Sequence, residues 1–93
     1  INDPEVQNAI YYHTTGRPYM HLLEKIIFLA DYIEPNRNFP DVDILRQKAE
    51  VNLEDALLAA YNSTINHLLS ENKYIYDLTF SGRNDLVMKL GYK

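Results

Sequence analysis

The chain has 93 residues, 46% of them hydrophobic, a formal net charge of −4 and no cysteine. That length fits one domain or part of one, and a domain of this size buries only about 60–65% of its unfolded surface, so its core is small. The composition excludes disulfides and thiolate chemistry and lacks the basic excess of a protein that wraps nucleic acid.

No apolar run approaches the length of a membrane span and no signal peptide is visible, so no membrane role is expected and a reducing, cytoplasmic setting fits. The chain opens on Ile1 rather than Met, as a piece of something longer would.

The first helix is predicted from "NDPEV": Asp3 can cap it and Pro4 fits the first helical position. It should run to about Tyr12. "HTTGRP", residues 13–18, is a connection, with Gly16 permitting unusual backbone angles and Pro18 stopping regular helix before it. A second helix is expected from about Met20 to Ile33. Leu22, Leu23, Ile26, Ile27, Phe28, Leu29, Ala30, Tyr32 and Ile33 cover nearly every direction around its axis, which marks a central, buried helix. Pro35 should end it.

Asp41 or Asp43 can cap a third helix over roughly 42–50, and Asn52 a fourth that continues to about Ser70. Glu54 and Asp55 suit the dipole of that fourth helix. Its apolar residues, from Leu53 and Ala56 to Leu68 and Leu69, recur at spacings of three and four. "ENKYIYDLTF" reads as extended or looped, and a last helix is expected over roughly 80–90, with Gly91 as its C-terminal signal. The fold class is therefore all-α, with short connections.

Asp31 stands out within the second helix. An ionised carboxylate buried without a partner costs several kcal/mol, so Asp31 must be exposed, protonated, paired with a base or bound to a metal. Its own helix offers no counter-charge: Glu24, two turns back on nearly the same face, is a like charge. Pairing with Arg17 or Arg37 at a rim and ligation of a metal both remain open from spacing alone.

His13 sits at a helix end beside Thr14, Thr15, Gly16 and Arg17, which together offer hydroxyls, accessible backbone N–H groups and a guanidinium, a corner suited to phosphate. A lone His is more often structural. Arg37 follows the proline that ends the second helix and could reach the same cleft, although a solvated loop residue is its commoner fate. His21 and His67 look unremarkable, and the tyrosines of "YIYDLTF" can stack on a base or pack the core.

The segment "AIYYHTTGRPYMHLLEKIIFLADYIEPNRNFPDV", residues 9–42, closely resembles the YqeK family of bacterial HD-superfamily phosphohydrolases. The "HTTG" corner, the "LLEKI" helix and the "LADYIEPNR" signature occur in the family's order, and the later acidic helix and "YIYDLT" follow its layout. The resemblance implies an all-helical HD domain of which residues 1–93 are the C-terminal part. It further implies symmetrical, metal-dependent hydrolysis of diadenosine tetraphosphate to two ADP.

In that reading the metal, expected to be iron, is held by a His, a His-Asp pair and a later Asp that matches Asp31. A metal in such a site polarises phosphate and supplies hydroxide. Asp31 and His13 are the implied catalytic residues. Nucleotide contacts are implied for His13, Thr14, Asp31, Arg37, Tyr74, Ile75, Tyr76, Asp77, Leu78 and Thr79.

The chain departs from the family pattern by containing no His-Asp dipeptide, so it brings one metal ligand and should be inactive alone. Its partners in this reading are the dinucleoside polyphosphate, the ADP product and the N-terminal half of the same domain, with a homodimer left open. The alternatives are an HD-type phosphohydrolase for another nucleotide and a non-catalytic helical interaction module.

Overall fold

The computed structural model describes residues 3–34 and 42–91; the expectations for Pro35, Arg37 and Asp41 lie outside the described residues. Five helices follow one another: α1 (Pro4–Tyr11), α2 (Leu22–Tyr32), α3 (Val42–Val51), α4 (Leu53–Ser70) and α5 (Asp77–Lys89). Among the described residues there is no strand.

Local chemistry sets most of the boundaries. The Asp3 side chain accepts a hydrogen bond from the Glu5 N–H at 2.9 Å, ahead of Pro4. The Asn52 side chain accepts from the Asp55 N–H at 3.2 Å at the start of α4. Asp43 is not a cap; it lies inside the first turn of α3, where a negative charge suits the dipole.

The segment expected to be extended is not extended throughout. Tyr76 is the last residue with extended angles, and α5 begins at Asp77, so Asp77, Leu78 and Thr79 form a first helical turn. The alternation of "YIYDLTF" mimics a strand, but Asp77 at the first position of the helix and Thr79 two residues on favour helix entry.

Helix α4 is the hub. It packs against α2, α3 and α5, while α1 packs on α2. Ala56, Leu57, Ala60 and Tyr61 of α4 are fully buried, and the two alanines let neighbours approach closely. Met20 from the connection before α2, Phe28 and Leu29 from α2 and Leu86 from α5 complete this cluster, with the Phe28 and Tyr61 rings 5.0 Å apart. Arg46 of α3 fastens the end of α2 by donating to the carbonyls of Ile33 (3.0 Å) and Glu34 (2.9 Å).

The expectation that α2 is buried all round is corrected. Its inner face is buried, but Leu22 is 64% exposed, Ile26 and Ile27 are also exposed, and Ile10 and Tyr11 of α1 extend the same kind of open apolar surface. Apolarity on every side records what a helix can bury; the described residues supply a neighbour for only part of it.

Candidate functional site

Residues 12–20 form the connection between α1 and α2 and carry the first candidate group. The α1 cap, Tyr12, donates to Asn8, and the Gly16 N–H donates to the Tyr12 carbonyl at 2.8 Å. Gly16 has a φ of +72°, a left-handed conformation that glycine adopts without steric cost. His13 is half-buried, and its Nδ1 meets the Ile10 carbonyl. A carbonyl only accepts, so this contact puts a proton on Nδ1 and leaves Nε2 as the other ring nitrogen. Thr14 is exposed. The Thr15 hydroxyl donates to the Gly16 carbonyl.

Arg17 is turned toward the first turn of α2. Its Nε and Nη2 donate to the two carboxylate oxygens of Glu24 at 2.6 and 2.8 Å, and it stacks 4.7 Å over the Tyr12 ring. Glu24 is 1% exposed and accepts also from the His21 N–H at 2.9 Å. The hydrogen bonds from Arg17 hold the Glu24 carboxyl below the usual range, against the opposing effect of burial. Glu24 is thus the buried carboxylate of α2, neutralised from outside the helix. The pair ties the corner to the first turn of α2.

Asp31 lies on the same face two turns on, and there the helix has emerged: Asp31 is exposed. This answers the difficulty raised by its place in an apolar run. Arg37 lies outside the described residues.

The second candidate group straddles the entry to α5. Tyr74 and Tyr76 are exposed, with their rings edge to face at 5.0 Å. Ile75 is half-buried, and Asp77 and Leu78 are exposed. Thr79 is buried, and its hydroxyl donates to the Thr15 carbonyl at 3.0 Å. That bond joins the corner carrying His13 and Thr14 to the segment 74–79 across 64 residues of sequence. Among the described residues no three His, Cys, Asp or Glu side chains are grouped closely enough to hold a metal. Asp31 offers a single carboxylate, so a catalytic metal does not fit the described residues alone.

No protein-family model matches the chain. The symmetrical bis(5'-nucleosyl)-tetraphosphatase of Halalkalibacterium halodurans is 51% identical over 89 residues, covering 96% of this chain and 48% of that enzyme. The enzyme of the same name from Bacillus subtilis is 47% identical over 94% of this chain and 47% of its own length. A crystal structure from Clostridium acetobutylicum superposes with a TM-score of 0.92 at 47% identity, over 96% of this chain and 47% of that one. It is described as an HD superfamily hydrolase involved in NAD metabolism.

The chain is homologous to half of an HD-superfamily hydrolase. It spans about half the length of the curated relatives it matches, and its all-helical fold is that of the matching half of the HD hydrolase structure.

Three residues that shape the connection between α1 and α2 gave little sign of it in the sequence. Glu24 was readable only as a like charge near Asp31; its place three residues after the His21 cap was the available signal. Tyr61 and Gly82 gave none. Tyr61 is fully buried, and its oxygen lies so close to Gly16 and Gly82 that an added Cβ would sit 1.9 and 2.5 Å from it.

Proposed function

We propose that this chain forms the C-terminal half of the catalytic domain of a metal-dependent hydrolase that splits diadenosine tetraphosphate into two ADP. The observation that carries this reading is the Thr79–Thr15 hydrogen bond, which brings the two candidate nucleotide-contact groups together in a chain whose relatives bear the tetraphosphatase name. His13 Nε2 and the Thr14 hydroxyl would meet phosphate oxygens, joined by Arg37. Tyr74, Ile75, Tyr76, Asp77 and Leu78 would line the nucleoside pocket, with Thr79 holding that wall to the corner.

Asp31 is the one carboxylate this chain would contribute to a divalent metal, expected to be iron, with the other ligands supplied by the half of the domain outside these 93 residues. The same half would cover the open apolar face of α2, where Leu22, Ile26 and Ile27 are exposed. A net charge of −4 fits a nucleotide enzyme of the cytoplasm better than a nucleic-acid binder. Among the described residues no helix is long and apolar enough to cross a membrane.

The test is ADP release from diadenosine tetraphosphate by the full-length protein with ferrous iron, by its Asp31→Asn variant and by this chain alone. Turnover in the first only is the expected result. Turnover retained by Asp31→Asn removes the metal role, and turnover by this chain alone contradicts the single-ligand reading.

A second reading, hydrolysis of a different nucleotide, is favoured by the NAD-metabolism description of the Clostridium acetobutylicum structure. A panel of dinucleotides separates the two. Failure of the full-length protein to bind iron or manganese would instead favour a non-catalytic module.

A further inference from the structure

The connection between α1 and α2 is gripped by one face of α5 at three levels. At the first, the Thr79 hydroxyl donates to the Thr15 carbonyl. At the second, the Tyr61 phenol, reaching across from α4, fills the space between Gly16 and Gly82. At the third, the Asp85 carboxylate accepts the Tyr19 N–H at 3.0 Å. Thr79, Gly82 and Asp85 recur every third residue, the spacing that keeps side chains on one helix face.

Two features show that this grip imposes a conformation. Tyr19 has a φ of +59°. A non-glycine residue is strained there and persists only where its surroundings enforce it. Asp85 holds its amide, and Lys89, itself 3.1 Å from Asp85, sits 5.2 Å over its ring.

The Tyr61 oxygen is buried without a hydrogen-bond partner. The Arg17 backbone faces it and moderates the rise that burial causes in its pKa, but outside hydrogen-bond geometry. The hydroxyl therefore acts by its bulk, as a wedge between two glycines.

We infer that Tyr61, Gly82 and Asp85 are positioning residues for the nucleotide: they set where His13 and Thr14 stand relative to the first turn of α5. None of the three is among the proposed ligand contacts. They act through the loop, and the inference rests on the function proposed above. A fixed spacing between the corner and segment 74–79 lets one nucleotide meet both groups without the ordering of a loop on binding.

The test uses the full-length protein and two variants. Tyr61→Phe removes one oxygen that has no partner, so a merely structural tyrosine would leave stability level or slightly raised and kinetics unchanged. Positioning predicts a KM for diadenosine tetraphosphate and a Kd for ADP raised about fivefold or more, with kcat changed less than about twofold, and bound metal unchanged. Asp85→Ala should do the same, and Asp85→Asn, which keeps an acceptor for the Tyr19 N–H, should restore wild-type values.

Amide hydrogen exchange is expected to quicken over residues 13–19 in both Tyr61→Phe and Asp85→Ala, whatever the substrate. Wild-type KM and Kd in both variants, or unchanged exchange in both, would overturn the inference. A wild-type protein with no turnover and no ADP binding would overturn the functional reading instead, and exchange would still decide whether α5 fixes the loop.

Discussion

Two sides of α2 are built to opposite standards. On its inner side, Glu24, Phe28 and Leu29 are buried, and the corner above them is fixed by the Arg17–Glu24 pair and by the Tyr61 wedge. On its outer side, Leu22, Ile26 and Ile27 stand open. The finished side is held by directional contacts that tolerate little change. The open side is hydrophobic surface without shape. The difference teaches that the described residues fix the geometry of the corner between α1 and α2 by themselves and leave the outer side of α2 uncovered.

The severest way to break the finished side is Gly16→Ala. The new Cβ would lie 1.9 Å from the Tyr61 oxygen, on a backbone already at φ +72°. Overpacking and left-handed strain together should cost about 3–4 kcal/mol, read as the loss of most of the urea midpoint. Gly82→Ala should follow with a smaller loss, since its clash distance is 2.5 Å and its backbone is helical.

Glu24→Ala comes next. It strands Arg17 and frees the His21 N–H, and breaking a buried pair costs about 3 kcal/mol. The same pair sets a pH window. The folded pKa of Glu24 lies below its ordinary value, with the Arg17 hydrogen bonds as the main cause. Its stabilisation is therefore complete above about pH 4.3, the ordinary glutamate value, and is lost as pH falls through the depressed pKa. Wild type should lose stability on acidification below that value more steeply than Glu24→Gln, as denaturation curves from pH 6 to pH 2 would show.

Lys25→Ala should cost about 1 kcal/mol. Lys25 pairs with Glu54 at 2.8 Å between α2 and α4, and the second Glu54 oxygen is already buried without a partner.

The open side should respond least. Leu22→Gln with Ile26→Gln should shift the stability of this chain by under about 0.5 kcal/mol while lowering its self-association in light scattering. In the full-length protein the same pair should cost several times more, if the other half of the domain lies on that face. Equal effects in the two settings would erase the distinction between the two sides.

The helices of the finished side were legible wherever the deciding chemistry is local. Asn52 with its acidic first turn gave α4 to the residue, and Pro4 after Asp3 gave the start of α1. The entry to α5 was missed because Tyr74, Ile75 and Tyr76 alternate like a strand and the capping position carries a tyrosine, a weak helix-start signal.

Burial of α2 was misjudged because periodicity reports a preference, not the presence of a neighbour. In the candidate site, the connection carrying His13 and Thr14 was legible as a corner, and the bond from Thr79 to the neighbouring Thr15 carbonyl ties it to α5 as no spacing rule could foresee. The partner of Arg17 was not legible, since Glu24 lies across Pro18 on another element. Tyr61 looked like any apolar-face residue of α4; its role exists only when two glycines from distant segments close around it.

The chain has eight tyrosines and no tryptophan, so its near-ultraviolet spectrum belongs to phenols. Burial pushes the Tyr61 pKa above that of a free phenol. The folded state then holds a proton that the unfolded chain gives up near pH 10, so stability is undiminished below that pH and falls above it. Phenolate absorbance from Tyr61 would appear only as the wedge leaves its glycine slot. The ionisation of Tyr61 is thus an unlabelled optical gauge of whether α4 and α5 still hold the corner between α1 and α2.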